Sequence, residues 1–140
     1  MEFNWFVLAL LDAFFAALVA IFAKMGLQNV DSTLATTIRT FVMMAFMLSV
    51  TIFTGKLDSI STLTRKEGMY ILLSGVAGAV SWLFYFASLK IGEASKVSAV
   101  DRSSLLFVVI LSILVLSEKV TVKTVLSTIL IFAGLLLFAL

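Results

Sequence analysis

Residues 32–53, STLATTIRTFVMMAFMLSVTIF, form a long apolar run that contains a single charged side chain, Arg39. About twenty helical residues are enough to cross a hydrocarbon core of about 30 Å. Four more runs of similar length complete the pattern, at residues 3–23, 69–89, 97–116 and 120–140. Because an open sheet edge cannot lie in lipid, each run is predicted to be helical. The sequence therefore predicts an all-α fold, a single domain over residues 1–140 built as an integral membrane bundle of five transmembrane helices.

The composition excludes a soluble domain and most classes of enzyme. Hydrophobic residues make up 62% of the chain and charged residues 13%, against about 45–50% and about 25% in soluble domains. The chain has neither Cys nor His, which removes disulfides, thiolate chemistry and zinc sites. The acidic residues form no cluster, so neither a metal nor another cofactor is expected. Because the sequence offers no nucleophile–base pair, the protein is not predicted to be an enzyme.

The basic residues bear on partners and on topology. They are scattered at the ends of the runs, so a lipid bilayer is the expected partner and nucleic acid is not. With five spans, the N-terminal side of the membrane carries Lys56, Arg65, Lys66, Lys119 and Lys123, and the other side carries Lys24, Lys90 and Lys96. The positive-inside rule therefore favours a cytoplasmic N-terminus by only two charges, which leaves insertion in both orientations open.

Three charged residues lie inside spans that enter from the same side of the membrane. Arg39 is about seven residues into the second span, roughly 10 Å deep, and Asp101 and Arg102 are five or six residues into the fourth. Charges at such depth are costly and usually face a bundle interior or a polar pathway. We predict a contact between Arg39 and Asp101, with Arg102 nearer the interface. In the alternative, Arg39 extends along its own helix towards the interface, and Asp101 and Arg102 mark a polar helix start.

Hydroxyl-bearing residues form polar faces on the second and third spans. Thr36 and Thr40 share a helical face with Arg39. The third span carries a stripe of small, hydroxyl-bearing and aromatic residues at helical spacing, bordered by Trp82 and Phe86: Tyr70, Ser74, Ala77, Ser81, Tyr85 and Ser88. Thr36, Thr40, Ser81, Trp82 and Tyr85 are therefore predicted to line a substrate pathway. The alternatives are threonine hydroxyls bonded to their own helix and close packing of helices through small residues.

Asp12 is the acidic residue nearest the middle of the first span. Burial disfavours the charged form of a carboxyl group, so Asp12 is a candidate to carry a proton in a transport cycle or to hold a cationic substrate. The alternative is that it pairs with a basic group or lies nearer the interface. The chain has no proline, so a helix break has to use glycine or serine, and Gly75 and Gly78 are the expected places.

Four segments of the chain resemble the EamA domain of the drug/metabolite transporter superfamily, and the first of them is similar to five-helix members in particular: 23-AKMGLQNVDSTLATTIRT-40, 82-WLFYFASLKIGEASKVSAVDRSS-104, 116-LSEKVT-121 and 133-AGLLLF-138. The resemblance implies a solute carrier for a small molecule, in the cytoplasmic membrane of a bacterium or archaeon. Its matched residues are Arg39, Trp82, Tyr85, Asp101 and Arg102. Members commonly have proline where Ala99 stands and lysine where Arg102 stands, so the residue that would break a fourth helix is missing here.

The resemblance also implies an assembly. Larger relatives carry two five-helix units in inverted orientation, whereas this chain carries one. Since secondary transporters often build their site between two inverted repeats, we expect a homodimer of this chain, antiparallel if both orientations occur, that works by alternating access. Proton coupling through Asp12 or Asp101 is a further hypothesis. Two other functions stay open: a flippase for a lipid or lipid-linked carrier, and a non-transporting subunit of a membrane complex.

Overall fold

The computed structural model describes residues 4–139, and every regular element in that range is helical. The elements are α1 (Trp5–Gly26), α2 (Ser32–Phe53), a 3₁₀ helix (Leu57–Thr62), α3 (Arg65–Ile91), α4 (Ala94–Asp101), α5 (Ser104–Leu116) and α6 (Val122–Ala139). The all-α fold is confirmed. The predicted outer ends of the first and last spans, Phe3 and Leu140, lie outside the described residues.

In the part of the chain that the structure describes, four helical segments are long and apolar enough to cross a membrane. They are α1, α2, α3 and the combined segment Ala94–Leu116, which contains α4 and α5. The last apolar helix, Val122–Phe138, is shorter. Over residues 4–139, four of the five predicted spans thus have clear membrane length, and the fifth corresponds to a shorter apolar helix.

The predicted fourth span is divided into two helices between Asp101 and Ser104. The helix break expected at glycine was in the third span. After Asp101 the backbone N–H of Ser103 donates to Val100 O at 2.9 Å, and the N–H of Leu105 donates to Arg102 O at 3.1 Å. This three-residue spacing is that of a 3₁₀ step. In contrast, α3 runs unbroken for 27 residues through Gly75 and Gly78, so the expected break there was wrong. A glycine costs a helix about 1 kcal/mol relative to alanine but removes no backbone hydrogen bond.

Side-chain caps fix where α2 and α3 begin. Asp31 Oδ1 accepts hydrogen bonds from the backbone N–H groups of Thr33 at 2.9 Å and Leu34 at 3.1 Å. These bonds, the one from Leu34 foremost, lower the pKa of Asp31, which lies just outside the span. Thr64 and Glu67 form a capping box: the N–H of Thr64 donates to Glu67 Oε2 at 2.9 Å, and the N–H of Glu67 donates to Thr64 Oγ1 at 3.4 Å. Helix α3 therefore begins at Arg65, before the apolar run itself.

The chain divides into two compact units. The first, called here the α2–α3 unit, comprises residues 23–90. Its buried residues are few and lie near one end of the helix pair: Leu27, Thr36, Phe86 and Leu89. The second unit holds the remaining described residues, in which α4 and α5 pack against α6.

Candidate functional site

Two lysine side chains form hydrogen bonds to backbone carbonyl groups near helix ends within the α2–α3 unit. Lys24 Nζ, in the last turn of α1, donates to Leu89 O at 2.7 Å. Lys90 Nζ, in the last turn of α3, donates to Val30 O just before α2 begins. An ammonium group near the last carbonyls of a helix satisfies an orphan acceptor and complements the helix dipole. The first bond joins the end of α1 to the end of α3, and the second joins the end of α3 to the link before α2.

Arg39 lies against an aromatic side chain of α3. Its guanidinium carbon, Cζ, is 3.6 Å from the centroid of the Trp82 ring and 5.6 Å from that of Phe86. Both distances fall within the range of about 6 Å over which a cation is attracted to an aromatic face. Within the described residues 23–90, the charge of Arg39 is therefore compensated by the π face of Trp82.

The ring of Trp82 is held in place by two further aromatic residues. Trp82, Tyr85 and Phe86 are spaced three and four residues apart, so they share one face of α3. The Trp82 ring meets Tyr85 edge to face at 5.5 Å and Phe86 at 5.9 Å. Phe86 is 3% exposed, which anchors the cluster. The surface on which Arg39 stacks is therefore fixed by packing.

A groove of about 350 Å³ opens between α2 and α3 beside this contact. It is lined mostly by apolar atoms, from Thr36, Thr37, Thr40, Phe41, Met44, Ala79 and Leu83. Arg39 is not among the lining residues, but on α2 it lies three residues after Thr36 and directly before Thr40, which are. A volume of this size falls within the range of small-molecule sites, about 300–1,000 Å³.

The threonine hydroxyls of the groove donate to their own helix. Thr36 Oγ1 donates to Ser32 O at 2.8 Å, Thr37 Oγ1 to Thr33 O at 2.9 Å and Thr40 Oγ1 to Thr36 O at 2.8 Å. This is the bonding that the sequence analysis gave as the alternative to a pathway role. With its proton committed, each hydroxyl oxygen presents only acceptor capacity to a ligand. The charged hydrogen-bond donor nearest to these threonines along α2 is Arg39.

The guanidinium keeps its donors while it stacks. A guanidinium has five N–H donors in its plane, and stacking on a ring occupies only a face. Among the acidic residues of the α2–α3 unit, Asp31 caps α2, Glu67 caps α3 and Asp58 lies in the 3₁₀ helix. Within residues 23–90 no carboxylate bonds to Arg39. The guanidinium edge of Arg39, which no carboxylate of residues 23–90 occupies, therefore belongs to a residue that adjoins the groove residues Thr36 and Thr40 on α2.

A model of the EamA-like transporter family matches residues 3–140. The chain belongs to the EamA-like transporter family. Together with its apolar helices, this makes it a multi-pass membrane protein. The EamA chain is also 39% identical, over 139 residues and 99% of each chain, to a protein of Sinorhizobium sp. named "Uncharacterized transporter in cobO 3'region". No solved structure matches the EamA chain significantly.

The other predicted site residues lie outside this groove. In the EamA chain Ser81 precedes Trp82 on α3 and has an exposed side chain. Asp12 lies in α1 and Asp101 is the last residue of α4; both are exposed and belong to the second unit. Arg102 lies at the 3₁₀ step, in a small crevice that it shares with Thr128 of α6. The contact between Arg39 and Asp101 joins residues of different units and stays a prediction.

Sequence reasoning missed the partner of Arg39 and the roles of two lysines. The sequence predicts Trp82 as a pathway residue at the border of a polar stripe but not as a contact of Arg39, although its spacing from Phe86 indicates an aromatic face on α3. The lysine bonds had a sequence signal as well, since Lys24 and Lys90 each lie in the last turn of a helix followed by a short link. Basic residues at that position commonly bond to terminal carbonyls.

Proposed function

We propose that the EamA chain is a small-molecule transporter of the drug/metabolite type whose substrate passes the groove between α2 and α3. In this proposal α6 is the fifth crossing of a five-helix membrane bundle. Family membership supports the general class, and the name of the Sinorhizobium relative points the same way. The proposed location is the cytoplasmic membrane of a bacterium or archaeon.

One observation carries the proposal: a stacked guanidinium beside a groove, on a helix of membrane length. Ionisable residues in spanning segments are costly and usually mark a substrate or ion pathway. Arg39 stacks on Trp82 and bonds to no carboxylate of residues 23–90. A residue serving only to stabilise the helix pair would be better replaced by an apolar one, because a buried charge adds little net stability. A donor edge that no carboxylate of residues 23–90 occupies favours a ligand role.

The working unit in this proposal is a homodimer that operates by alternating access. Secondary transporters commonly place their site between two inverted repeats, and one EamA chain supplies one such repeat. The difference of two basic residues between the two sides permits an antiparallel pair. C-terminal reporters, one active only in the cytoplasm and one only outside, test this arrangement: signal from both supports it, and signal from one excludes dual orientation.

Proton coupling is assigned to Asp12 or Asp101. Both are acidic residues in membrane-length segments, where a carboxyl group can exchange a proton during the cycle. Flux into vesicles should then respond to an imposed pH gradient, and Asp12→Asn or Asp101→Asn should remove the response. If both variants transport with unchanged pH dependence, the coupling assignment is wrong.

Transport itself is tested with proteoliposomes and a metabolite mixture, followed by mass spectrometry of the trapped contents. We expect uptake of at least one compound by the wild type and its loss in Arg39→Gln. The matched control is Arg65→Gln, which removes a guanidinium at the start of α3, away from the groove. Absence of uptake for every compound would reject the transporter proposal and favour a non-transporting subunit of a membrane complex.

A lipid or lipid-linked carrier flippase is the second candidate. The open groove with Phe41, Met44 and Leu83 in its lining favours an amphipathic molecule as well as a soluble one. Flip-flop of a fluorescent lipid analogue distinguishes the flippase from the transporter. It is measured as the fraction of the fluorophore that a reductant added outside the vesicles can reach in the outer leaflet. Movement of the analogue without uptake of any water-soluble compound would support the flippase.

A further inference from the structure

We propose that Arg39 and the neighbouring groove bind an amphipathic organic anion, in which a carboxylate or phosphate is joined to an apolar body. This inference rests on the proposed function and names the class of its substrate. The anionic head would take the N–H edge of Arg39, and the apolar body would lie in the groove between α2 and α3.

The head group follows from the donors at the site. Carboxylate and phosphate oxygens match the fork of a guanidinium in two parallel hydrogen bonds. Trp82 covers one face of the guanidinium, with 3.6 Å between Cζ and the ring centroid. This stacking does not engage the N–H donors at the edge of the guanidinium. Thr36 and Thr40 offer the ligand acceptors only. The single strong group at this site is therefore a donor with a positive charge, which is complementary to an oxyanion.

The apolar body follows from the lining of the groove. Phe41, Met44, Ala79 and Leu83 present carbon and sulfur atoms, and the threonines add methyl groups. Methionine adapts to apolar groups of varied shape. A ligand that is ionic throughout would leave this surface unmatched, so the anion should carry a hydrocarbon or aromatic part.

The same geometry selects against cations. The face of a tryptophan is the usual protein site for an organic ammonium group, but here Arg39 covers the face of Trp82. An ammonium group in the groove would also meet the positive charge of Arg39 at short range. An amine of the same shape as a bound carboxylate should therefore be rejected.

A binding experiment with full-length protein in nanodiscs of zwitterionic lipid tests the inference. The chain has two tryptophans, so Trp5→Phe leaves Trp82 as the fluorescent reporter. The probes share one ring and differ in charge: cyclohexanecarboxylate, cyclohexylmethanol and cyclohexylmethylammonium. We expect saturable binding of the carboxylate, with affinity for the other two lower by about tenfold or more.

Variants in the Trp5→Phe background assign the binding to the named groups. Arg39→Lys keeps the charge but loses the fork, and should weaken carboxylate binding by about tenfold. Ala79→Leu fills the groove and should also weaken it, whereas Arg65→Gln should bind as the parent does. The thermal unfolding midpoint of each variant shows that it is folded, so a loss of affinity reports on the site.

Three results would overturn the inference. They are equal affinity for the carboxylate and the ammonium probe, unchanged carboxylate affinity in Arg39→Lys and Ala79→Leu together, and carboxylate binding that appears only after Asp101→Asn. The last result would mean that Asp101 occupies the edge of Arg39, as the sequence analysis predicts.

Two further comparisons identify the source of the anion and separate this inference from the transport proposal. Repeating the titration in nanodiscs with anionic lipid distinguishes the sources: a weaker affinity indicates that lipid head groups compete for Arg39, and an unchanged affinity indicates a water-soluble anion. Carboxylate binding without any flux would reject transport and retain the anion site. Uptake of cations that is insensitive to Arg39→Lys would retain transport and reject the anion site.

Discussion

Replacing the tryptophan under Arg39 tests the contact on which the candidate site depends. In Trp82→Leu the side chain stays apolar, but the guanidinium loses the ring whose centroid is 3.6 Å from Cζ. A cation–π contact contributes about 0.5–1 kcal/mol at an exposed site and about 2 kcal/mol when desolvated. Because both side chains are half-buried, we expect a coupling free energy of about 1 kcal/mol between positions 39 and 82.

A double-mutant cycle isolates this coupling from the loss of indole packing. The cycle uses R39Q, W82L and the double variant, with free energies of unfolding measured by circular dichroism during titration of mixed micelles with a denaturing detergent. The control cycle replaces Trp82→Leu with Phe84→Leu, since Phe84 is on the same helix and is 71% exposed. If the coupling at 39 and 82 does not exceed that at 39 and 84, or stays below about 0.3–0.5 kcal/mol, the stacked arrangement is refuted.

Three further predictions concern the helix ends and the glycines. Asp31→Ala should lower the thermal midpoint by removing the α2 cap. Because hydrogen bonds to the carboxylate lower the pKa of Asp31 below its ordinary value of 3.8, the stability that the charged cap adds is complete above that pH and should be lost as the pH falls below it; Asp31→Asn should not show this loss. Lys90→Met should free Val30 O and lower the midpoint, and because Lys90 also lowers the pKa of Asp31, the loss of stability in acid should be smaller in this variant and complete at a higher pH. Gly75→Ala should stabilise α3 by about 0.5–1 kcal/mol, because the added Cβ meets open space. Gly55→Ala should destabilise the protein by about 1 kcal/mol, because Gly55 has φ +65°. Equal thermal unfolding midpoints for the two variants would contradict this.

Hydropathy predicted some helices closely and others poorly, for physical reasons. The second span was predicted at residues 32–53, and α2 has the same bounds because a cap at Asp31 coincides with the start of the apolar run. The third was predicted at residues 69–89, yet α3 extends over Arg65–Ile91. Hydropathy identifies the residues that lie in hydrocarbon, whereas a helix continues until its end groups find other partners.

The division of the fourth span had no hydropathy signal at all. The 3₁₀ step at Arg102 and Ser103 arises from a change in backbone bonding over a few residues, and the side chains on either side stay apolar enough to count as one segment. The absence of proline argued against a break here. Proline is one cause of a break, and a shift from four-residue to three-residue bonding needs no proline.

Side-chain partners between helices were harder to predict than the helices themselves. Arg39 and Trp82 were both singled out from the sequence, but their contact depends on the rotation and the vertical register of α2 against α3. Helical side chains point towards the N-terminal end of their own helix, so a small change in register replaces one partner with another. The sequence favours a carboxylate for Arg39 on energetic grounds, and that contact stays a prediction; within the α2–α3 unit the residue that Arg39 contacts is an aromatic ring.

An aromatic partner has a different consequence for function than an acidic one. A carboxylate would neutralise Arg39 by accepting its N–H donors, and a ligand would then have to displace it. Trp82 attracts the same charge through its face and accepts none of those donors. The guanidinium can therefore be held beside the groove and still bind an oxyanion. Trp82→Leu should accordingly weaken binding of cyclohexanecarboxylate by severalfold although Arg39 is intact, as measured by calorimetry; unchanged affinity in this variant would mean that the stack does not position the donor edge.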